Sequence, residues 1–371
     1  MTEPGSAQAP ERLYAAHAVA VGYYRAQLSR HDGPRAYLRE RGLGAVVGRD
    51  APWRVGYAPR SWTALTEHLR QQGFSTDELV AAGLAVRGQG ARVHDLFRDR
   101  IVFPIRDRAG HTVAFIGRIW RDGCAPKYLN SPDTSIYTKG RELFGRYEQR
   151  DRLAAGWPPV LVEGPADTLA VWLSYSRAGR TGLVGVAPCG TALTAAQLRT
   201  AVELPGARRF GLAVAFDGDE AGRRAADHAY ALLAEFPGTR SRGAVFAPGA
   251  DPADLLRDRA GRARLRAILE RQILPLSQLI LDHQLDRLLH RSPRLLYEVE
   301  GRLRLARVLA PLIAEQTGAG AVAALRHLAT QIRQRIDEDP DRVVADTLRC
   351  LTTAVTAYLE ATPSPGQLVA R

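Results

Sequence analysis

The sequence predicts an α/β protein in three parts: a basic mixed α/β N-terminal subdomain, a central domain built on a parallel sheet, and a C-terminal helical bundle. Three observations carry this. From Pro158, apolar runs "VLVEG", "GLVGVAP", "GLAVAFDGD" and "GAVFAPGAD" alternate with helical stretches at 166–177, 194–203 and 220–235, the pattern of a parallel sheet covered by helices. After Pro275 only helical spacings remain. Before Pro158, short helices and a hairpin carry many arginines. The expected boundaries are 11–157, 158–262 and 263–360, with flexible tails at 1–10 and 361–371.

Each element has its own grounds. Residues 11 to about 45 place Tyr14, Val21, Tyr24 and Leu28 at helical spacings until "RGLG" (Arg41 to Gly44) breaks the pattern. Short helices are expected at 62–72 and 76–83, between glycine turns. "DRIVFPIRDRAGHTVAFIGRIW" (Asp99 to Trp120) reads as two strands around Ala109-Gly110. Arg98, Arg100, Arg106, Arg108, Arg118 and Arg121 line that hairpin. They are read as a basic face that follows a nucleic-acid backbone rather than as a merely solvated arginine face. The stretch Leu212 to Phe216 is continuously apolar, as expected of a strand buried on both faces. In the last part, "LSQLILDHQLDRLLH" sets Leu281, Leu285 and Leu288 on one stripe, and Ser292-Pro293 is read as a helix start.

Composition narrows the function classes. The 371 residues are 46% hydrophobic and 24% charged, the balance of a globular protein of two or three domains. No apolar run reaches the ~18 residues of a membrane span, and "MTEPGSAQAP" lacks the features of a secretory signal. Cys124, Cys189 and Cys350 are far apart, which argues against a disulfide scaffold and a zinc knuckle and fits a reducing cytoplasm. No GxxxxGK[ST], HExxH or GxGxxG pattern occurs. The net charge of +12 points to a polyanionic partner. Of 51 basic residues only Lys127 and Lys139 are lysine, and both lie in "KYLNSPDTSIYTK". Lysine is a compact point charge suited to phosphate in a way the planar guanidinium is not.

Carboxylates gather where the predicted strands end. Glu163 closes the first central strand and Asp167 follows in the first turn of the next helix. Asp217 and Asp219 follow the third strand, and Asp251 and Asp254 the fourth. In an open parallel sheet these ends form the binding crevice. Six acids converging there would raise one another's pKa values unless a cation binds. Oxygen ligands without nearby His or Cys favour Mg²⁺ or Mn²⁺ over zinc. Helix capping competes as a role for Asp219, before Glu220, and for Asp254, after Pro252. An EF-hand beginning at Asp217 is excluded because its twelfth position is His228.

"VEGPAD" followed by "FDGDEAG" resembles the Toprim domain. With "RIVFPIRDRAGHTVAFIGR", "PKYLNSPDTSIYTKGRELFG", "GTALTAAQ" and "DPADLL" in the same order, the chain resembles the catalytic core of the bacterial replicative primase over roughly residues 12 to 360. The resemblance implies a DNA-directed RNA polymerase that makes short RNA primers on single-stranded DNA from nucleoside triphosphates, with one or more Mg²⁺ or Mn²⁺ ions. It assigns catalysis to Glu163, Asp217 and Asp219, and metal binding to these with Asp167 and Asp251. It places Arg118, Lys127, Asn130, Lys139 and Arg141 against template or nucleotide. Three positions depart from the family pattern: Ile116 replaces a glycine, Pro165 stands where a bulky residue is common, and Ala253 stands at a usual aspartate with Asp254 one place later. The family's N-terminal zinc-binding domain is not found in the sequence, so a separate zinc-bearing protein or a replicative helicase is an expected partner at a cytoplasmic replication fork, and zinc is not an expected cofactor. Two alternatives use the same residues: a Toprim-type nuclease, and a non-catalytic single-stranded DNA-binding replication accessory.

Overall fold

A computed structural model describes residues 9–48, 50–121, 126–176, 182–190, 192–316 and 318–362. The tail residues 1–8 and 363–371, and Cys124, lie outside the described residues. The described chain divides into two compact units. One holds the residues up to Arg240 with Ala244–Ile273; the other holds Ser241–Gly243 with the chain from Leu274 onward. Among the described residues, no helix is long and apolar enough to cross a membrane.

The first unit opens with two helices where the periodicity suggested one. Pro10–Arg30 ends at His31, whose backbone is extended (φ −115°, ψ 113°), and Asp32–Glu40 begins at once. Pro34 explains the break: it cannot donate an amide to a preceding turn, so it is accommodated only in the first turn of a new helix. Buried Leu13, Ala16, Tyr24 and Leu28 pack the longer helix against a four-stranded antiparallel sheet. Its order is Gly56–Ala58, Arg100–Arg106, Thr112–Ile119, Tyr128–Asn130. The central hairpin pairs Phe103 with Ile116 and turns at Gly110, whose φ of +93° favours glycine. Fully buried side chains such as Phe103 and Phe115 contribute about 1.5–3 kcal/mol each.

That sheet is buried on both faces, which corrects the expected basic surface. Arg100 and Arg118 are buried. Arg100 donates to the Gly117 carbonyl at 3.2 Å, and Arg106 lies 3.2 Å from Glu148 Oε1 and also donates to the Pro52 carbonyl. Arg121 is tied to Asp99 at 2.6 Å. Because both faces of this sheet are covered, its arginines are drawn to backbone and acidic partners, and a count along the sequence overstates the exposed charge.

The second sheet is six-stranded, and its order includes the run Leu212–Val214, Pro159–Leu161, Val184–Pro188, Leu143–Phe144. The first three are parallel, with Ala213 beside Val160 and Leu161 beside Val186. Helices Pro165–Tyr175, Ala195–Val202 and Glu220–Leu233 alternate with them. Leu212 through Phe216 are all buried, as the continuous apolar run requires. The two-residue strand Leu143–Phe144 pairs antiparallel at the edge, too short to leave a period in the sequence. Trp53 stacks on Phe144 at 5.6 Å and meets Trp172 edge-on at 5.6 Å, joining both sheets in one core.

Gly42 closes this core (φ +71°), where a Cβ would lie 2.1 Å from the Leu256 carbonyl oxygen. Gly42→Ala combines left-handed strain with a backbone clash and is expected to cost about 2–4 kcal/mol. A lower urea midpoint at unchanged slope would report it.

The second unit contains the helices Leu276–Arg291, Val299–Ala314, Ala319–Arg333 and Pro340–Ala361. Its core includes Leu281, Leu285, Leu305, Leu309, Leu328 and Leu351. Ser292-Pro293 does not start a helix: the Ser292 amide caps the preceding one through the Leu288 carbonyl, and the next helix begins at Val299. The intervening turn buries both Leu295 and Leu296, consecutive residues that a helix would place about 100° apart.

Candidate metal centre

The loops after the parallel strands Pro159–Leu161 and Leu212–Val214, with the loop that carries Asp251, bring the acids together. Glu163 follows the strand Pro159–Leu161, and Gly164 then caps a helix that opens on Pro165. A proline at that first position surrenders an amide with no helical partner in any case. One turn in, Asp167 is 7% exposed, and its Oδ1 accepts the Ala253 amide at 3.2 Å. After Phe216 the chain turns, and the Asp217 amide donates to Glu163 Oε1 at 3.0 Å. Gly218 is required by proximity rather than by a special dihedral: a Cβ there would lie 2.2 Å from the Ala247 carbonyl oxygen.

Carboxylate oxygens of Asp167, Asp217 and Asp251 lie within 4.8 Å of one another. Burial first, and then the charges of Asp167, Glu163 and Asp251, push Asp217 up to about 8. Burial, with Asp251 next, pushes Asp167 up to about 7. Glu163 is raised as well, chiefly by burial. Asp217 Oδ1 is buried and has no hydrogen-bond partner. Three acids, a raised proton affinity and an orphaned oxygen fit a hard divalent cation held by oxygen.

The other two predicted metal-binding acids, Glu163 and Asp219, line one cleft with these three. Asp219 is exposed, and its Oδ1 accepts the Gly222 amide at 2.8 Å as the cap of Glu220–Leu233. Glu163 holds the Asp217 backbone. Asp254 does not take the place of the acid absent at Ala253: its Oδ1 is claimed by Arg41 and Arg257, each at 3.0 Å.

A cleft of about 450 Å³ opens on this cluster, and Arg118, Lys127, Tyr128 and Asn130 face it. Arg118 Nε donates to Tyr37 Oη at 2.9 Å, and Nη1 donates to Tyr128 Oη. The Asn130 amide packs against Gly190, where a Cβ would lie 2.0 Å away, and its Oδ1 is buried without a partner. Lys139 and Arg141 lie outside the cleft lining; the Lys139 amide donates to Asp133 at 2.8 Å, and Arg141 is exposed. The sequence reading missed Tyr37, Tyr128 and Arg41, whose roles depend on partners distant in the chain. It also missed Trp62, an exposed tryptophan (63%) with the Arg98 guanidinium 4.0 Å from its ring centroid.

The acid cluster sits at the carboxyl edge of the parallel sheet, the general binding crevice of open α/β folds, and residues 160–256 match the Toprim-like family model. Residues 23–150 match the family described as DNA primase catalytic core, N-terminal domain. The RNA polymerase domain of Mycobacterium tuberculosis primase DnaG superposes with a TM-score of 0.71 at 32% identity, over 87% of this chain and 99% of that one. A DnaG primase catalytic domain bound to single-stranded DNA gives a TM-score of 0.66 at 31% identity, over 86% of this chain and 96% of that one. The chain therefore belongs to the DNA primase catalytic-core family. It is 34% identical to a DNA primase of Neisseria meningitidis, over 86% of this chain and 50% of the relative. It is also 34% identical to that of Pseudomonas aeruginosa, over 88% of this chain and 46% of the relative. The chain thus spans about half the length of these curated relatives.

Proposed function

We propose that this chain is an RNA-synthesising primase core, copying single-stranded DNA from nucleoside triphosphates in the cytoplasm at a replication fork, with Mg²⁺ or Mn²⁺. The observation that carries this is the triad Asp167, Asp217 and Asp251, which lines one cleft with Arg118 and Lys127. In function, residues 11–157 hold template and nucleotide, residues 158–262 hold the reacting groups, and residues 263–360 form the helical part. A helicase or a separate zinc-bearing protein is the expected helper for initiation.

Asp167, Asp217 and Asp251 would hold the cation, which would supply Lewis-acid stabilisation of the phosphoryl transfer. Arg118 and Lys127 bind triphosphate oxygens and offset the charge that builds as pyrophosphate leaves. Glu163 Oε1 is occupied by the Asp217 amide, which leaves Oε2 to take the proton of the primer 3′-hydroxyl. Its raised pKa makes it a better base. The 3′-oxygen then bonds to the α-phosphorus as the bond to pyrophosphate breaks. Asp219 caps the helix behind Asp217 and keeps that turn in register. Asn130 faces the nucleotide from the cleft wall, while Lys139 and Arg141 contact the template outside the cleft.

The test supplies labelled NTPs and Mg²⁺ or Mn²⁺ to single-stranded DNA, bare or carrying an annealed RNA primer. Labelled RNA on either template supports the reading, and RNA only with the primer assigns initiation to a missing helper. Shortened DNA without RNA would replace it with a nuclease, and bound, intact DNA with a binding accessory.

Trp62 offers a stacking surface on the same proposed DNA-binding part. Because base–aromatic stacking contributes about 1–3 kcal/mol per base, Trp62→Ala is expected to weaken oligonucleotide binding about tenfold. Fluorescence anisotropy at two salt concentrations would show an unchanged salt slope, since no charge is removed.

A further inference from the structure

Arg118 is a buried arginine oriented by neutral groups. It is 6% exposed, and among the described residues its guanidinium bonds only to two phenol oxygens, those of Tyr37 and Tyr128. A buried guanidinium ordinarily has a carboxylate beside it, because removing its charge from water is costly. Here the phenols fix the plane of the fork, the Asp167 carboxylate feels its charge in the same cleft without bonding to it, and Nη2 is left for an anion. Tyr37 reaches this site from the helix Asp32–Glu40, outside both sheets.

The same helix end also braces the acidic side. The guanidinium carbons of Arg41 and Arg118 lie 5.8 and 5.9 Å from the Tyr37 ring centroid. Arg41 holds Asp254 at 3.0 Å and stands 4.0 Å from Asp251. Tyr37 therefore sits between the cation of one cleft wall and the loop that carries an acid of the other.

We propose that Tyr37 is a positioning residue for the nucleoside triphosphate: its hydroxyl fixes Arg118 so that the open edge of the guanidinium meets the phosphates. This rests on the nucleotide-binding reading of the cleft. A hydrogen bond to a charged group contributes about 1.5–3 kcal/mol, so its loss corresponds to about a tenfold or larger change in affinity.

The test is a double-mutant cycle of Tyr37→Phe and Arg118→Lys, read two ways. Equilibrium binding of trinitrophenyl-ATP with Mn²⁺ gives affinity, and primer extension gives KM and kcat. Tyr37→Phe keeps the ring and its packing, and a thermal melt checks its fold. We expect about tenfold weaker binding and a matching rise in KM, with kcat little changed. In the Arg118→Lys background the same change should add almost nothing, because lysine has no Nε for Tyr37 to hold. An equal loss in both backgrounds, a loss confined to kcat, or unchanged affinity would overturn the assignment. The binding arm decides it even if the wild-type protein makes no RNA, an outcome that would count against the polymerase reading alone.

Discussion

Replacing Asp217 by asparagine is expected to lower RNA synthesis about a thousandfold while leaving single-stranded DNA binding close to that of the wild type. Of the three triad acids, Asp217 is the one with a buried oxygen that has no protein partner, and its carboxylate lies within 4.8 Å of those of Asp167 and Asp251. Losing a ligand there removes several kcal/mol of transition-state stabilisation, whereas the basic cleft residues are untouched. Asp219→Asn is the informative companion. Asparagine caps a helix about as well as aspartate, so any loss it causes reports charge at the site rather than unwinding of Glu220–Leu233. Quantified primer extension beside anisotropy on the same oligonucleotide checks both. Equal loss of DNA binding in Asp217→Asn would show that the acids organise the fold rather than the reaction.

The second large effect concerns metal-free stability. Asp217 and Asp167 have folded pKa values of about 8 and about 7 against an ordinary 3.8. Groups raised in this way contribute stability that is complete below the ordinary value and is lost as pH rises through the folded one. Without metal, the protein is therefore expected to melt at a lower temperature at pH 8 than at pH 6. Mn²⁺ should raise the melting temperature most at the higher pH, because it binds the ionised cluster of the folded state alone. Asp217→Asn should melt above the wild type in metal-free buffer at pH 8 and lose most of the Mn²⁺ response. A wild-type midpoint that rises from pH 6 to pH 8 in chelator would contradict the repulsion on which this rests.

What the sequence made legible follows period and spacing. The alternation after Pro158 and the unbroken Leu212–Phe216 run reflect burial on two faces, a demand each strand states locally. The acids at 163, 167, 217 and 251 were visible because each follows such a run. The division of labour among them was not. Whether Asp219 turns to cap the helix, or Asp254 turns to Arg41, depends on partners that only the folded backbone supplies. The hairpin arginines show the same limit. Their number was plain, but the burial of Arg100 and Arg118 required knowing that both faces of the sheet are covered, that of Arg118 by Tyr37 from the helix Asp32–Glu40. Tyr37 and Arg41 left no trace at all, since a tyrosine and an arginine one helical turn apart are commonplace.

The Arg41–Asp254 contact spans 213 residues of sequence. Contacts between positions so distant slow folding, because a long loop must close before they contribute. During synthesis at roughly 5–20 residues per second, the stretch around Arg41 would wait about 10–40 s for its partner to be made. The nascent chain can thus complete its arginine-bearing hairpin early, but the cleft acquires its finished acidic wall only once the loop near Leu256 docks on Gly42. A ribosome-bound intermediate lacking that loop should hold the Trp53 core incompletely and resist protease poorly, and full protection should arrive late and in a single step.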